Sequence, residues 1–194
     1  MTKKKIAIFI SGRGSNMRAI VEQCQQGILK DLVDVQLVFA NKETAAGLEY
    51  AQSVGLDAQW INSKGLKRTT FDQKVMDLLN NYDLDYIILA GYMRILSKPF
   101  VQAYEGKIIN IHPADTTQHQ GVDGYAWAFR EGLEQTKVTV HYVDEGLDTG
   151  SIIEQAEVDL EGATTLAEVE KRGLAVEHHF YSSVIQKLIL KKTK

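Results

Sequence analysis

Two side chains two positions apart, Asn110 and His112 in the run Lys107-Ile108-Ile109-Asn110-Ile111-His112-Pro113, are the first candidates for chemistry. Ile108, Ile109 and Ile111 make a short β-branched run that Pro113 stops, so an amide and an imidazole share one face at the C-terminal end of a strand. In open α/β sheets, ligands bind beyond that end. A strand buried on both faces carries apolar residues throughout, so these two groups must either find partners or do chemistry. The plain alternative is a pair of satisfied core polar groups.

A second stretch, Ser11-Gly12-Arg13-Gly14-Ser15-Asn16, turns a strand into a helix. Gly12 and Gly14 permit a tight turn, and the N–H groups of Gly14, Ser15 and Asn16 at a helix N-terminus form a cradle suited to a phosphate monoester. The third glycine of a dinucleotide fingerprint is Met17 in this chain, and no Gly-Lys-Ser/Thr follows, so neither that motif nor a P-loop is present.

The third stretch, Asp144-Glu145-Gly146-Leu147-Asp148-Thr149-Gly150, is a loop whose glycines allow backbone amides and carbonyls to turn towards a ligand. If Asp148 meets His112, its carboxylate orients the imidazole and raises its pKa, favouring a protonated donor near neutral pH. His112, Asp115 and His119 are close enough in sequence to suggest a metal, but no second His or Cys cluster supports one. Cys24 reads as an inert helix residue, and at least one of His178 and His179, beside Glu177, reads as solvated. Trp60 and Trp127 read as core or groove-lining residues, without the aromatic series that base stacking needs.

The elements that must position these groups follow a βα rhythm. Strands are expected over residues 5–10, 34–39, 58–61 and 86–90, with helices over 15–26, 45–53 and 70–80 and a short one over 99–104. That alternation argues for right-handed βαβ units in a parallel twisted sheet. After the Asn110–His112 strand the rhythm changes. Residues 114–123 are polar and aperiodic, 125–133 read as helix, and 138–143 and 152–158 read as an antiparallel strand pair. Residues 165–190 read as a long closing helix, broken or bent near Gly173.

The 194 residues suit one domain, 1–194, with a core that needs no staples. A formal charge of −3 gives no sign of a nucleic-acid or anionic-membrane surface, and the lysines at 3–5 and at 191, 192 and 194 read as solvated tails. Absence of a membrane-length apolar run, and a single cysteine, point to a cytoplasmic protein; small-molecule partners and a monomer or homodimer are expected.

Together, Ser11-Gly12-Arg13-Gly14-Ser15-Asn16, Leu89-Ala90-Gly91-Tyr92-Met93-Arg94-Ile95-Leu96, Asn110-Ile111-His112-Pro113, and Val140-His141-Tyr142-Val143 with the 144–150 loop resemble the phosphoribosylglycinamide formyltransferases of purine biosynthesis. The resemblance covers essentially the whole chain. It implies a single-domain Rossmann-like α/β formyltransferase fold and transfer of a formyl group from 10-formyltetrahydrofolate, as co-substrate, to the amine of glycinamide ribonucleotide, without a metal. It implies Asn110, His112 and Asp148 as the catalytic group, and Gly14, Ser15, Asn16 and Glu177 as binders of the ribonucleotide phosphate and ribose. Arg68, Met93, Arg94, Ile95, Leu96, Asn110, Asp144, Glu145, Gly146, Leu147 and Asp148 are then expected to line the folate pocket.

The chain departs from the family pattern after His112-Pro113, where Ser-Leu-Leu-Pro, an aromatic-Pro-Gly and a His are usual. Here Ala114-Asp115-Thr116-Thr117-Gln118-His119-Gln120-Gly121-Val122-Asp123 stands, keeping only the glycine, with His119 as a candidate stand-in for the missing histidine. Leu174 replaces a residue that is often polar. Two rivals remain: a formyltransferase for another amine, such as a nucleotide-linked amino sugar, and a silent phosphate- or folate-binding module, which would not need Asn110, His112 and Asp148 as a set. Related transferases for initiator methionyl-tRNA, and the deformylase, carry an extra domain for which the chain is expected to have no room.

Overall fold

In the computed structural model, which describes residues 2–191, the sequence pattern resolves into one sheet with two cores. The strand β1 (Lys4–Ile10) is flanked by β2 (Val33–Ala40) and β4 (Tyr86–Leu89), all parallel, with the short β3 (Ala58–Trp60) beyond β2. Alternate residues serve opposite faces, as the two-residue period of a strand requires. Ile6, Ile8 and Ile10 join Val38, Ala40 and Ile88 in one cluster; Ala7 and Phe9 join Leu37, Phe39, Ile87 and Leu89 in the other. This two-sided burial explains why these strands read as near-continuous apolar runs.

The first core is covered by α1 (Ser15–Gln26), α2 (Ala46–Ser53) and α6 (Leu166–Lys191); the second by α3 (Arg68–Leu79) and α4 (Lys98–Ala103). Next to β4 lies β5 (Ile108–His112), still parallel, and then β6 (Gln135–Tyr142) and β7 (Ile152–Asp159), both antiparallel. The order β3-β2-β1-β4-β5-β6-β7 puts a topological switch between β1 and β4, where the loops leaving the two strands part and a crevice opens.

Three local expectations change. The helix α6 runs unbroken through Gly173, which is there for contact and not for a bend: a Cβ at that position would lie 2.0 Å from Cζ of Tyr125. The helix α5 (Gly124–Arg130) stops short of 133 because Gly132 takes φ 64 and reverses the chain, so β6 begins at Gln135. Lys4 and Lys5 are not tail residues but open β1, where Lys4 Nζ meets Asp85 Oδ1 at 2.7 Å and the Lys5 N–H donates to Asp85 Oδ2 at 2.9 Å. Lys192 and Lys194 lie outside the described residues. No helix among the described residues is long and apolar enough to cross a membrane.

One contact fixes where β5 sits. The Tyr181 hydroxyl of α6 lies 2.9 Å from the Ile109 carbonyl and 3.1 Å from that of Leu89, so a wholly buried phenol is satisfied only with β4 and β5 in their observed places.

Candidate active site

Ile109 and Ile111 of β5 face the α6 core, which leaves Asn110 and His112 on the other face at the strand's exit. The antiparallel neighbour supplies two more polar groups in register: His141 opposite Asn110, and Thr139 opposite His112. The 144–150 loop then carries Asp148 back over this face in the left-handed region, at φ 54, a conformation that carboxylate and amide residues tolerate better than most.

The three groups named from sequence converge. Asp148 Oδ2 lies 3.4 Å from His112 Nδ1, and Asp148 Oδ1 lies 3.3 Å from Asn110 Nδ2. The fourth member is His141, which sequence reasoning passed over although it sits on the polar face of an alternating strand. Its Nε2 is 3.3 Å from Asn110 Nδ2 and 3.5 Å from Asp148 Oδ1, and its Nδ1 is 2.9 Å from the Tyr142 carbonyl. Asn110 therefore has one amide hydrogen on Asp148 Oδ1, and the direction of its contact with His141 depends on which ring nitrogen of His141 carries the proton. His112 Nε2 is likewise engaged, with the His119 carbonyl at 3.1 Å.

Electrostatics correct one expectation. His112 is 3% exposed, and burial pushes its pKa below the ordinary 6.5, outweighing the upward pull of Asp148 and of the His119 carbonyl. The imidazole is thus harder to protonate than the Asp148 contact alone would make it. Burial also works to raise Asp148, but the His141 hydrogen bond, the His112 charge and the Gly121 N–H at 2.9 Å hold it below the ordinary carboxylate value.

These groups form the floor of a cleft of about 440 Å³. Met93, Arg94, Ile95 and Leu96 line one wall, and Asp144, Gly146 and Leu147 the other. The rim is apolar and open: Met93 and Val122 are each 72% exposed, with Ile95 and Leu147 about half exposed. Arg94 also stacks its guanidinium 4.4 Å over Phe71. Two expected lining residues face elsewhere. Arg68 opens α3 with an exposed side chain outside the cleft, and Glu145 turns outward to pair with Lys98 Nζ at 3.0 Å and Gln102 Nε2 at 2.9 Å on α4.

The glycine loop stands beside the cleft across the switch point. Ser11 Oγ accepts the Met93 N–H at 2.8 Å and meets Asn41 Oδ1 at 2.6 Å, tying the β1 loop to the loop after β4. Gly14 caps α1 in the left-handed region at φ 69 with no side chain bonded across the helix start. A Cβ there would approach Met17 Cε to 3.0 Å. Asn16 is buried, and its Nδ2 donates to Glu177 Oε2; Tyr125 donates its hydroxyl to Glu177 Oε1. Glu177, expected to face ribose, is only 5% exposed, and burial raises its pKa against these two hydrogen bonds.

The remaining sequence candidates separate cleanly. Cys24 is part-buried, and burial pushes its thiol up to about 12, which makes it a poor nucleophile. His179 is exposed, whereas His178 is half-buried. Trp127 is half-buried and stacks on His119 with ring centroids 4.8 Å apart; Trp60 is 43% exposed. Among the described residues no group of three or more His, Cys, Asp or Glu is arranged to hold a metal.

Comparison with known proteins places this geometry. The family model described as "Formyl transferase" matches residues 4–185. Phosphoribosylglycinamide formyltransferase of Bacillus subtilis is 37% identical over 96% of this chain and 95% of its own length. The human trifunctional purine biosynthetic protein adenosine-3 is 36% identical over 95% of this chain, which spans 18% of that protein. The crystal structure of phosphoribosylglycinamide formyltransferase from Bacillus halodurans superposes with a TM-score of 0.91 at 35% identity, covering 96% of this chain and 95% of that one. The chain belongs to the formyl transferase family, and within it to the phosphoribosylglycinamide formyltransferases.

Proposed function

We propose that the protein transfers a formyl group from 10-formyltetrahydrofolate to the primary amine of glycinamide ribonucleotide, and that Asn110, His112 and Asp148 carry the reaction. The observation that carries this reading is the meeting of an amide, an imidazole and a carboxylate on the floor of a cleft with apolar walls. Such walls suit the flat rings of a folate, while the 91–96 and 144–148 backbones offer polar atoms to read its edges. The Gly14, Ser15 and Asn16 amides at the start of α1 hold the acceptor's phosphate. Glu177 orients Asn16 and keeps lone pairs that could accept from the ribose.

In the reaction the amine nitrogen bonds to the formyl carbon, the carbonyl becomes an oxyanion, and the bond to the donor's N10 breaks once that nitrogen gains a proton. The amine must lose the proton that N10 gains. Asp148 takes the proton shed by the attacking amine and passes it to His112 Nδ1, 3.4 Å from its Oδ2, while the His112 Nε2–H goes to N10, so the ring gains one proton as it gives up another. The formyl oxygen competes with the His119 carbonyl for the His112 Nε2–H, so an existing donor changes acceptor instead of being desolvated anew. Asn110 turns an amide hydrogen from Asp148 to the same oxyanion. Each such donor is worth roughly 2–4 kcal/mol of barrier.

The test offers purified protein 10-formyltetrahydrofolate with glycinamide ribonucleotide, with an amino-sugar nucleotide, or with water alone, and follows release of the deformylated folate. Turnover with glycinamide ribonucleotide is expected; turnover only with the amino sugar, or none at all, rejects the reading.

A further inference from the structure

The segment in which this chain departs from its family's pattern is ordered around one buried carboxylate. Asp115 is 5% exposed. Its Oδ1 accepts from the Thr117 N–H at 3.0 Å, the Thr117 hydroxyl at 2.7 Å and Gln155 Nε2 at 3.1 Å, while Oδ2 accepts from Lys137 Nζ at 2.9 Å. The Asp115 carbonyl accepts the N–H groups of Gln118 and His119, both at 2.9 Å, closing a turn. The end of that turn touches the reacting pair twice: the His119 carbonyl meets His112 Nε2 at 3.1 Å, and the Gly121 N–H donates to Asp148 Oδ2 at 2.9 Å.

We infer that Asp115, seated by Lys137 of β6 and Gln155 of β7, is a positioning residue that holds the His119 carbonyl and the Gly121 amide against His112 and Asp148. Its anchors belong to the strands that continue the sheet beyond β5, so the loop is tied to the same framework that carries His112. A carbonyl on a ring nitrogen favours the charged imidazole, and an amide on a carboxylate favours the ionised form. In the ligand-free site both bonds favour the ion pair, and once the formyl oxygen has taken the His112 Nε2–H the Gly121 amide on Asp148 still does. The titratable groups facing His112 are Asp148, His119 and His141; those facing Asp148 are His112 and His141; Asp115 faces Lys137. For its catalytic consequence the inference rests on the proposed formyl transfer, but the seating of the pair does not.

Two measurements on the full chain test it: the NMR titration of the His112 ring in ligand-free protein, and the pH profile of kcat. In Asp115→Ala, His112 is expected to titrate about half a pH unit lower or more. Turnover should fall about tenfold, with both KM values within about twofold. Thr117→Val should move both readouts the same way by less, Lys137→Met likewise, and Lys137→Arg should restore wild-type values. An unchanged His112 titration and pH profile in folded Asp115→Ala overturns the inference; if that variant does not fold, the same constancy in Thr117→Val does so. Wild-type protein that fails to turn over the proposed substrates rejects the proposed function, while the His112 titration still decides this inference.

Discussion

Two carboxylates, the half-buried Asp148 and the buried Glu177, are shifted in opposite directions. Asp148 and Glu177 both lose water, and for both the desolvation works against ionisation. Asp148 nevertheless ends below its ordinary value, because two imidazoles and a backbone amide face it. Glu177 ends above its own, because burial outweighs the downward pull of its two neutral donors, a phenol and a carboxamide. Burial sets the cost of charge, and partner type sets how much of that cost is offset. The first cluster is built to hold an ion pair and the second to hold a shape.

The largest effects should fall on the charged cluster. His112→Ala and Asp148→Asn are each expected to lower kcat by more than about a hundredfold with modest change in KM, because their contribution appears as charge develops. Glu177→Gln keeps the shape at the other carboxylate and removes its titration. Its kcat should stay within about tenfold of wild type, with any loss concentrated in the KM of the acceptor. Steady-state kinetics on the three variants would break the comparison if Glu177→Gln proved as damaging to kcat as Asp148→Asn.

The shape-holding cluster should instead be sensitive to volume. Tyr125 reaches Glu177 across Gly173, where an added Cβ would meet Cζ, Cε1 and the hydroxyl oxygen of the ring within 2.3 Å. Gly173→Ala removes a helix-weakening glycine but forces the phenol aside, so overpacking should outweigh propensity and cost about 1–3 kcal/mol. Tyr125→Phe leaves one Glu177 oxygen without its donor and should cost about 1–3 kcal/mol. Thermal melts of both, and of the double variant with Gly173→Ala, give the check. A double variant no worse than Gly173→Ala alone would show that the ring displacement already breaks the Glu177 bond.

The pH dependence of stability sharpens the same contrast. A lowered Asp148 makes a contribution that is present above the ordinary 3.8 and lost as pH falls through its folded value. Glu177, raised above the ordinary 4.5, does the reverse: the folded state keeps its proton longer, so its contribution shrinks as pH rises through that window. His112, lowered from 6.5, adds a loss of stability as pH falls below that value. Denaturant titrations from pH 3 to 7 should therefore show difference curves of opposite slope for Asp148→Asn and Glu177→Gln. Parallel slopes would mean that partners matter less than depth.

How much of this was legible in the sequence follows from where each partner lies. The βα rhythm, the turn of the glycine loop into a helix and the polar face of β5 are local, carried by period and by single residue types, and they read correctly. His141 was missed because its place opposite Asn110 is a matter of register between two strands, which alternation alone does not set. The direction of the His112 shift was misjudged because Asp148 could be named from sequence while the burial that outweighs it could not. The 114–123 segment read as aperiodic because the donors that order Asp115 come from Lys137 and Gln155, 22 and 40 residues away. Gly173 read as a bend for the same reason: Tyr125 lies on another helix.

The smallest expected effect comes from a third carboxylate, which extends the comparison to the surface. Glu145 sits in the loop that carries Asp148 and pairs with Lys98, yet the two side chains are 46% and 65% exposed. Water already solvates both charges, and side-chain ordering offsets most of the Coulomb gain, so Glu145→Gln should cost less than about 0.5 kcal/mol. That is a change of about 1–2 °C in Tm for a chain of this size. Because the Glu145 side chain points to α4 and away from the cleft floor, the KM for the folate should also stay within about twofold. A tenfold rise in that KM with Tm unchanged would return Glu145 to the folate wall that the sequence suggested. It would also show that the 144–148 backbone depends on an exposed ion pair for its placement, and not on the buried contacts of Asp148.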